Sequence, residues 1–494
     1  MRDLTARPRL LACALAVLLC LLALARPLDH DESQYVAAAL LSAHGLLPYR
    51  DYAYLQTPLQ PFLFAPIAWL AGGWAWPALR IVNALLGAAS AVFVWRAART
   101  GGANAQMATA ATALFATCDI LLFATGTARN DALPAALFAA SLAPILQASR
   151  DRATNRSAFL SGLLLAGAAA AKVSYALPAA AYGLIALLDR RHRPLWVAIG
   201  ALPAMVLVAL SWRLAPGAFV FDTLSFPSAA PAEYYRAVGK AWKLGIGMKL
   251  VDTLKFLALG PALAALALIP RYRWRRADGR ALDWLLVAAF LAALLPVPTW
   301  RQYLLPMLPP LFVRLAIGWS VVPPERRTRV AMVVFACAGL APSIAALGSG
   351  LPLLEAMRQG YAIRATMDAN AVRGPVATLA PQFLAATGRL PDPRLATGPF
   401  YFRSRGLLDS ADENADHLVG RDTLAAHFAA APPPALLTGG ESGWTSGDAA
   451  LDIPLAHWAA AHGYRAVAIP GGRFTLYLAP ARANFGSAAP IRSL

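Results

Sequence analysis

The sequence predicts a mainly α-helical membrane protein with many spans and a small α/β domain at its C-terminal end. Of its 494 residues, 58% are hydrophobic and 14% are charged, whereas soluble globular proteins carry about 25% charged residues. Apolar runs of roughly 17–25 residues, the length that crosses a hydrocarbon core of about 30 Å, recur over residues 1–349. No run of that length follows in residues 350–494. This composition excludes a disordered chain, a fibrous repeat protein and a soluble enzyme with a single anchor.

Eleven runs are predicted to cross the membrane. They lie at about 10–26, 78–95, 104–124, 132–149, 157–176, 178–188, 195–214, 250–270, 281–297, 303–320 and 330–349. The sixth run is short, so its helix is expected to begin a few residues earlier, at a tight turn near Pro178. The first run is not expected to be a cleaved signal peptide, because it lacks a clear small-x-small exit and an acidic segment follows it directly.

Positive charge alternates along the chain. Nineteen arginines fall in every other connection between the runs: Arg2, Arg7, Arg9, Arg96, Arg99, Arg150, Arg152, Arg156, Arg190, Arg191, Arg193, Arg271, Arg273, Arg275, Arg276, Arg280, Arg326, Arg327 and Arg329. Such clusters mark the cytoplasmic side of a membrane protein. The N-terminus is therefore predicted to be cytoplasmic, and an odd number of spans places residues 350–494 outside. The net charge of +18 then reflects topology and does not indicate nucleic-acid binding.

Residues 350–494 are expected to form a soluble α/β domain, because short β-rich segments alternate there with helical stretches. The β-rich segments are Val376–Leu379, Ala435–Thr438, Ala466–Ile469 and Phe474–Leu478, and the helical ones include Asp422–Ala430 and Leu455–Gly463. Asp412, Glu413 and Asp416 form an acidic run that is interpreted as a solvated loop. The domain offers no catalytic group set of its own. It is expected to lie over the mouth of a transmembrane cavity and to shape access to it.

The first external loop, residues 27–61, holds the strongest candidate site. Asp29, Asp31 and Glu32 follow the first apolar run at the membrane surface, where charged groups are costly and are functional candidates by default. The segment Ser33–Ala43 has helical spacing with an apolar face and is predicted to lie along the interface. An alternative stays open, in which Asp31 and Glu32 only cap that helix and oppose its dipole.

The same loop carries a resemblance to a known group of proteins. It contains the run DHDESQY, then GLLPYRDY and a proline-rich return to the membrane. This pattern resembles the first external loop of polyprenyl-phosphate-dependent membrane glycosyltransferases, the GT-C group that includes the protein O-mannosyltransferases (glycosyltransferase family 39) and the bacterial aminoarabinose transferases. Matching pieces follow in ARND at 128–131, Lys172 and RQYLLPMLPPL at 301–311. The resemblance covers most of residues 1–320.

The resemblance implies a GT-C fold for residues 1–349 and a polyprenyl-phosphate-linked sugar as the donor. In that group an Asp of this loop, usually paired with a neighbouring acid, is the catalytic base, and the matching positions are Asp31 and Glu32. Some relatives require a divalent metal cation and others do not, so a metal stays open. The other substrate-binding candidates in the loop are Asp29, Tyr35, Tyr49, Arg50 and Asp51.

Further polar residues lie on the external side. On the turn 125–133, Arg129 and Asp131 form either an interfacial ion pair or, by the resemblance, part of the active cavity. Lys172 either snorkels to the headgroups or joins a phosphate site. The loop 215–249 is basic on a side that should be poor in Lys and Arg, so it either binds an anionic head group or forms an interface helix without a ligand. Its candidates are Tyr235, Arg236, Lys240 and Lys243.

Arg301 and Tyr303 stand at the mouth between the ninth and tenth runs. A guanidinium there suits a bidentate phosphate contact. The alternative is an aromatic-belt anchor with a snorkelling arginine, and the resemblance favours the phosphate contact.

Together these assignments predict a glycosyltransferase of the bacterial inner membrane that acts at the periplasmic face. A hexosyl or pentosyl group passes from polyprenyl phosphate to a hydroxyl of a glycolipid, polysaccharide or protein, with inversion and with Asp31 as the base. The sequence contains no GxxxxGK[ST] phosphate loop and no HExxH or CxxC metal spacing. Two alternatives of other classes stay open: a transporter or flippase of lipid-linked envelope precursors, and a non-catalytic scaffold in envelope assembly.

Overall fold

Helices dominate the structure, a computed structural model that describes residues 8–272 and 279–480. The α-helices are α1 (Pro8–Ala25), α2 (Glu32–Ala43), α3 (Leu59–Ala71), α4 (Ala75–Thr100), α5 (Ala105–Ala116), α6 (Asp119–Thr125), α7 (Ala132–Ala148), α8 (Asn155–Ala171), α9 (Ala176–Leu188), α10 (Pro194–Leu214), α11 (Pro216–Val220), α12 (Phe226–Ala237), α13 (Ile246–Ala258), α14 (Ala262–Leu268), α15 (Arg280–Leu294), α16 (Leu308–Val321), α17 (Arg326–Leu347), α18 (Pro352–Ala369), α19 (Pro399–Phe402), α20 (Ser410–Ala415), α21 (Leu424–Ala430) and α22 (Ile453–Ala461). Shorter 3₁₀ helices include Val173–Tyr175, Arg301–Met307, Pro381–Ala386 and Gly443–Thr445.

Each of the eleven predicted runs coincides with helix, and two of them are broken. The third run bends by 64° between α5 and α6, and the eighth bends by 97° after α13. The sixth begins at Ala176, after the turn Val173–Tyr175. Among the described residues, four helices are long and apolar enough to cross a membrane, and six are if each bent pair counts as one span. The number of spans stays a prediction.

The helix at the end of the first external loop was not expected. Leu59–Ala71 forms α3, and its 13 residues rise by only about 20 Å, too little to cross a hydrocarbon core of about 30 Å. Prolines at 61 and 66 obscure the helical pattern in the sequence. Helix α3 packs on α2 and brings the end of the first external loop back to the helical bundle.

Three of the arginine-rich connections meet at one end of the bundle. Arg150 Nη1 donates to the carbonyl of Thr100 at 3.0 Å, and Arg193 donates to Asn155, so three of these connections lie together. Helix α7 begins directly after Asp131 and ends next to Arg150, so the acidic turn lies at the opposite end. Five arginines of the orientation argument lie outside the described residues: Arg2, Arg7, Arg273, Arg275 and Arg276.

Small residues let the helices approach closely, as is usual in membrane proteins. A Cβ on Gly162 of α8 would lie 2.0 Å from the carbonyl oxygen of Val197, and one on Gly200 of α10 would lie 2.0 Å from that of Phe159. The backbones of α8 and α10 therefore touch where these glycines face each other. This contact fixes α8, which ends at Lys172 on the acidic side.

The C-terminal part contains a four-stranded sheet in the order β1-β2-β4-β3. The strands are β1 (Val376–Ala377), β2 (Ala435–Thr438), β3 (Arg465–Ala468) and β4 (Thr475–Leu478). β1 pairs parallel with β2, and β4 pairs antiparallel with both β2 and β3. Leu437 packs on one face and Leu436 on the other, each against helical residues. The predicted α/β character of this part is confirmed.

The sheet layer is joined directly to the helical bundle. Phe383 of the 3₁₀ helix Pro381–Ala386 packs edge-on against Trp76 of α4, with ring centroids 5.3 Å apart. At Gly398, where φ is +60°, a Cβ would lie 2.2 Å from Oγ of Ser33 in α2. The glycine therefore allows the segment after residue 398 to lie against the first external loop.

The prediction that Asp412, Glu413 and Asp416 lie in a solvated loop is wrong for Glu413. Glu413 is buried, and its carboxylate accepts hydrogen bonds from Tyr401 at 2.8 Å and from Thr423. His427 Nε2 lies 3.0 Å from the same carboxylate. The residue lies on the short helix α20, which turns Glu413 inward while its neighbours face solvent.

Candidate active site

A cavity of about 990 Å³ opens at the acidic end of the bundle. Helical and sheet-bearing parts both line it. Its polar lining includes Arg26, Asp29, His30, Asp31, Gln34, Tyr35, Gln56, Thr127, Arg129, Lys172, Tyr234, Tyr235, Arg301, Gln302, Tyr303, Arg403, Ser404 and Ser446. Apolar lining comes from α12, from the C-terminal end of α17 and from Phe123, Phe256 and Phe400.

The acidic segment enters the cavity at the start of α2. The backbone N–H of Glu32 donates to the carbonyl of Asp29 at 3.0 Å, and that of Asp31 donates to Oδ1 of Asp29 at 3.0 Å. Asp29 therefore closes the turn that precedes α2. In the described part of the chain, Asp31 makes no side-chain capping bond to α2, so its carboxylate is available for other contacts.

Glu32 faces away from the cavity and is fully buried. Arg80 holds its carboxylate through two bonds, Nε to Oε1 at 2.7 Å and Nη2 to Oε2 at 2.5 Å. Trp76 Nε1 and the backbone N–H of Ala128 donate to Oε1 at 3.0 and 2.7 Å. This carboxylate links the loop, α4 and the turn before α7, which makes it a structural anchor of the site.

Asp31 stands on the cavity wall between two cationic groups. Its Oδ2 contacts Nη1 of Arg129, and its Oδ1 lies 3.1 Å from Nε2 of His30. About 20% of the side chain is exposed. Burial opposes charge on this carboxyl, but Arg129 and His30 outweigh that effect and hold its pKa well below the usual range. Asp31 is therefore ionised throughout the physiological range.

Arg129 connects three carboxylates. Besides Asp31 it contacts Oδ2 of Asp29 at 3.3 Å and Oδ2 of Asp131 at 3.3 Å. Lys172 also contacts Asp131. The simple ion pair expected between Arg129 and Asp131 is thus one contact of a larger network. Asp131 is buried behind the two cations, while Arg129 and Lys172 reach the cavity.

His30 has both ring nitrogens opposite acceptors. Nδ1 lies 2.8 Å from the carbonyl of Ser446, and Nε2 faces Asp31. Because a carbonyl and a carboxylate only accept hydrogen bonds, both nitrogens must carry protons. Burial opposes this charge, but the hydrogen bond and charge of Asp31 raise the pKa of His30 to about 9. The sequence showed His30 beside the acids, but its partner lies 416 positions away.

Three guanidinium groups surround the ring of Phe123. The Cζ atom of Arg301 lies 3.5 Å from the ring centroid, and those of Arg26 and Arg129 lie 5.2 Å from it. Arg301 also donates to Asp119 at 2.8 Å, and Arg26 to the carbonyl of Leu122 at 2.9 Å. Among the described residues, Arg129 and Arg301 are already paired with carboxylates, whereas Arg26 bonds to a carbonyl, so an anion near Phe123 would chiefly pair with Arg26. Sequence reasoning missed Arg26, which resembled an ordinary arginine at the end of a span.

The structure brings eight of the proposed site residues to the cavity: Asp29, Asp31, Tyr35, Arg129, Lys172, Tyr235, Arg301 and Tyr303. As far as residues 8–272 and 279–480 show, the others do not line it: Glu32, Tyr49, Arg50, Asp51, Asp131, Arg236, Lys240 and Lys243. Arg50 and Asp51 pair with each other at 2.7 Å near the surface. Tyr49 is buried and donates to the carbonyl of Gln56 at 2.5 Å. Lys243 lies over the rings of Tyr235 and Trp242, with Nζ 5.6 and 5.7 Å from their centroids.

The only possible metal ligands grouped within the described residues are Asp29, His30 and Asp31. Their ligand atoms lie within 4.8 Å of one another. However, Arg129 already contacts both carboxylates, and both nitrogens of His30 are committed as donors. A neutral imidazole is needed for metal binding. The arrangement therefore does not fit a divalent cation.

Comparison with known proteins identifies the fold. No protein-family model matches the sequence, and a search of curated proteins finds no match. Among solved structures, ArnT from Cupriavidus metallidurans bound to undecaprenyl phosphate is 16% identical with a TM-score of 0.55, covering 96% of this chain and 98% of that one. ArnT in the apo state is 15% identical with a TM-score of 0.57, covering 95% and 97%.

The oligosaccharyltransferase of Archaeoglobus fulgidus, in complex with Zn and sulfate, is also similar. It is 15% identical with a TM-score of 0.52, covering 95% of this chain and 74% of that one. These proteins are GT-C glycosyltransferases. The chain therefore has the GT-C fold, as the sequence resemblance implied.

Proposed function

We propose that the chain is a membrane glycosyltransferase that moves a sugar from a polyprenyl-phosphate donor to an acceptor hydroxyl at the extracytoplasmic face. The observation that carries the proposal is Asp31, an ionised carboxylate on the wall of the cavity between Arg129 and His30. The GT-C fold supports it, and ArnT, similar over nearly the whole chain, was solved with undecaprenyl phosphate bound.

The donor phosphate belongs near Phe123. Arg26 and Arg301 meet at this ring, and Lys172 lies on the same cavity. Their charges stabilise the phosphate that leaves the sugar, because fixed cations stabilise charge that grows in the transition state. No nucleotide-binding fold is needed for a lipid-phosphate donor.

A second cavity of about 700 Å³ provides a place for the donor's tail. Apolar residues of α8, α9 and α10 line it. Thr57 and Val173 line this second, groove-shaped cavity. Their chain neighbours Gln56 and Lys172 line the first cavity. An isoprenoid chain in the groove would therefore begin beside the proposed phosphate site.

Asp31 acts as the general base. The acceptor oxygen attacks the anomeric carbon, and the bond from that carbon to the phosphate oxygen breaks. The phosphate leaves with the electron pair, and the acceptor's proton passes to the Asp31 carboxylate. A carboxylate of low pKa suffices, because the hydroxyl becomes strongly acidic once its oxygen bonds to carbon. A single displacement inverts the anomeric configuration.

Glu32 is assigned a positioning role in this proposal. Its bonds to Arg80, Trp76 and Ala128 hold the acidic loop against the turn that carries Arg129. The proposed mechanism uses the protein's own cations, and Arg129 contacts both Asp29 and Asp31.

The positions of the charges support an extracytoplasmic location for the cavity. Acids and cavity lie at one end of the bundle, and three arginine-rich connections, at residues 96–100, 150–156 and 190–193, lie at the other. Arginine-rich connections favour the cytoplasm. The proposed bacterial inner membrane, with a cytoplasmic N-terminus and residues 350–494 in the periplasm, follows from the same bias and from the resemblance.

The test is turnover by the full-length protein in detergent, where no transmembrane gradient exists. The donors are a panel of undecaprenyl-phosphate-linked hexoses and pentoses, and a total membrane extract supplies the acceptor. We expect release of undecaprenyl phosphate together with a glycosylated product. Asp51→Asn, in the same loop but outside the cavity, is the control for Asp31→Asn. Movement of lipid-linked sugar across vesicles without transfer would instead establish the transporter alternative.

A further inference from the structure

Arg403 is a cation on the cavity that the proposed donor site does not use. It follows α19 in the C-terminal part, and its Cζ lies 4.7 Å from the ring centroid of Tyr234 and 4.9 Å from that of Phe400. Among residues 8–272 and 279–480, no carboxylate lies within 4.0 Å of its guanidinium. The guanidinium is therefore held by two rings and makes no direct ion pair with the described carboxylates.

The segment that carries Arg403 is anchored on the side away from the cavity. Tyr401 donates to the buried Glu413 at 2.8 Å, and the backbone N–H of Arg403 donates to the carbonyl of Pro399 at 3.0 Å. The close approach of Gly398 to Ser33 sets the segment directly against α2. Arg403 is therefore presented to the cavity by a fixed backbone and is not a free surface side chain.

The two oxygens of Asp31 contact two different groups of residues, and the part of the cavity lining around Phe400 and Arg403 is called here the wall of Phe400. From Oδ2 the contacts run through Arg129 to Phe123, the ring that Arg301 covers. From Oδ1 they run through His30 to Phe400, with ring centroids 6.0 Å apart, and on to Arg403. The base thus stands between the proposed phosphate site and the wall that holds Arg403.

An inverting displacement needs separate positions for the two substrates. The attacking oxygen approaches the anomeric carbon from the side opposite to the leaving group, so the acceptor and the donor phosphate occupy different walls. With the donor phosphate near Phe123, the acceptor comes to the wall of Phe400. A guanidinium there, planar and with five donors, suits a carboxylate or a phosphate.

We propose that Arg403, held between Tyr234 and Phe400, forms a subsite for an anionic group, phosphate or carboxylate, carried by the acceptor. The inference rests on the proposed transferase function and adds a substrate class to it. It also gives the C-terminal part a direct role in recognising the acceptor.

The test measures equilibrium binding of three matched probes to the full-length protein in phosphatidylcholine nanodiscs. The probes are octyl glucoside, octyl glucoside 6-phosphate and octyl glucuronide, and undecaprenyl phosphate is measured in parallel. We expect at least one anionic probe to bind roughly ten-fold or more tightly than octyl glucoside, as a charge-assisted contact provides. The phosphate and the carboxylate probes distinguish the two sources of charge.

Variants locate the effect. Arg403→Gln should abolish the preference for the anionic probe and leave undecaprenyl phosphate binding unchanged, and Arg403→Lys should keep part of the preference. Arg405→Gln, an exposed neighbour, is the matched control. Arg301→Gln should weaken binding of undecaprenyl phosphate and leave the preference for the anionic probe unchanged. Thermal unfolding of each variant shows that it is folded.

Three results would overturn the proposal: no preference in the wild type, a preference that survives Arg403→Gln, or a loss of undecaprenyl phosphate binding in Arg403→Gln as large as that in Arg301→Gln. The last result would place Arg403 in the donor site. Failure of the wild type to bind undecaprenyl phosphate would count against the transferase itself, and the probe comparison separates that outcome from failure of the subsite.

Discussion

Asp31 and Glu32 are neighbours in the chain, yet their carboxylates have opposite environments. Asp31 is about 20% exposed on the cavity wall, whereas Glu32 is fully buried and bonded to Arg80, Trp76 and the backbone of Ala128. The start of α2 turns the first side chain toward the cavity and the second toward α4. The acidic pair that the sequence singles out therefore divides into a proposed base and an anchor.

Asp31→Asn should remove transfer while leaving donor binding intact. The amide cannot accept the acceptor's proton, but Arg129 keeps its contacts with Asp29 and Asp131. We expect turnover to fall by at least about a hundred-fold, as loss of a general base does, with a change in unfolding free energy of about 1.5–3 kcal/mol. Turnover and undecaprenyl phosphate binding are measured in one preparation, with Asp51→Asn as the control. A variant that keeps a tenth of its activity would show that Asp31 is not the base.

Glu32→Gln should act on stability first. Removing one partner of a buried ion pair costs about 3–5 kcal/mol, because the other charge stays buried without compensation. Here the remaining charge is Arg80, which is fully buried. Thermal unfolding in detergent should show a larger loss than for Asp31→Asn. The double variant Glu32→Gln/Arg80→Met should recover part of the loss, and equal stability of all variants would contradict the anchor role.

Arg301→Gln should weaken binding of the donor. A charge-assisted contact contributes about 1.5–3 kcal/mol, so we expect the KM for the donor to rise roughly ten- to hundred-fold. Because Arg301 also pairs with Asp119, the double variant Arg301→Gln/Asp119→Asn controls for an unpaired acid. Lys240→Gln, on an exposed residue outside the cavity, should bind the donor normally. Unchanged donor kinetics in Arg301→Gln would move the phosphate site elsewhere.

Much of the fold follows from the sequence because each span is specified locally. A run of apolar residues needs no distant partner to become a helix, and the four β-rich segments of the C-terminal part have strong local patterns. Helix α3 escaped this reasoning because it is short and contains Pro66. The breaks after α5 and α13 depend on tertiary packing, as at Gly339, where a Cβ would lie 2.1 Å from the carbonyl oxygen of Thr117.

The site was only partly predictable, because several of its residues meet only in the folded chain. Asp31, Arg129 and Arg301 stood out because charge at a span end is unusual. Arg403 and Ser446 did not stand out, since they lie in the C-terminal part and line the cavity only because that part packs against the helical bundle. The basic residues Arg236 and Lys240 looked like a head-group site, but they are exposed outside the cavity, which favours the alternative of an interface helix without a ligand.

His30 should make stability and activity depend on pH in the alkaline range. Its pKa is raised from 6.5 to about 9, so the stabilisation from its charged form is complete below about pH 6.5 and is lost as pH rises to about 9. The difference in thermal unfolding between wild type and His30→Gln should be largest at pH 6 and small at pH 10. Turnover should fall near pH 9 in the wild type only. A constant difference across this range would show that His30 is not charged.

Glu441 should make the folded protein less stable as pH rises, whereas an acid paired with a cation makes it more stable. It lies in the C-terminal part beside the segment that contacts His30, and its Oε1 has no hydrogen-bond partner among the described residues. Burial raises its pKa from 4.5 to about 7. The protonated form is therefore favoured in the folded state, so the stabilisation is complete below about pH 4.5 and is lost as pH rises through 7.

Glu441→Gln, which is neutral at every pH, should therefore be more stable than the wild type at pH 8 and about equal to it at pH 5. The shift corresponds to about 3 kcal/mol at most. Thermal unfolding at the two pH values measures the difference, and Asp412→Asn, on an exposed acid of α20, serves as the control. If Glu441→Gln is destabilising at pH 8, the carboxylate must be charged and paired in the folded protein, for instance with the imidazolium of His30.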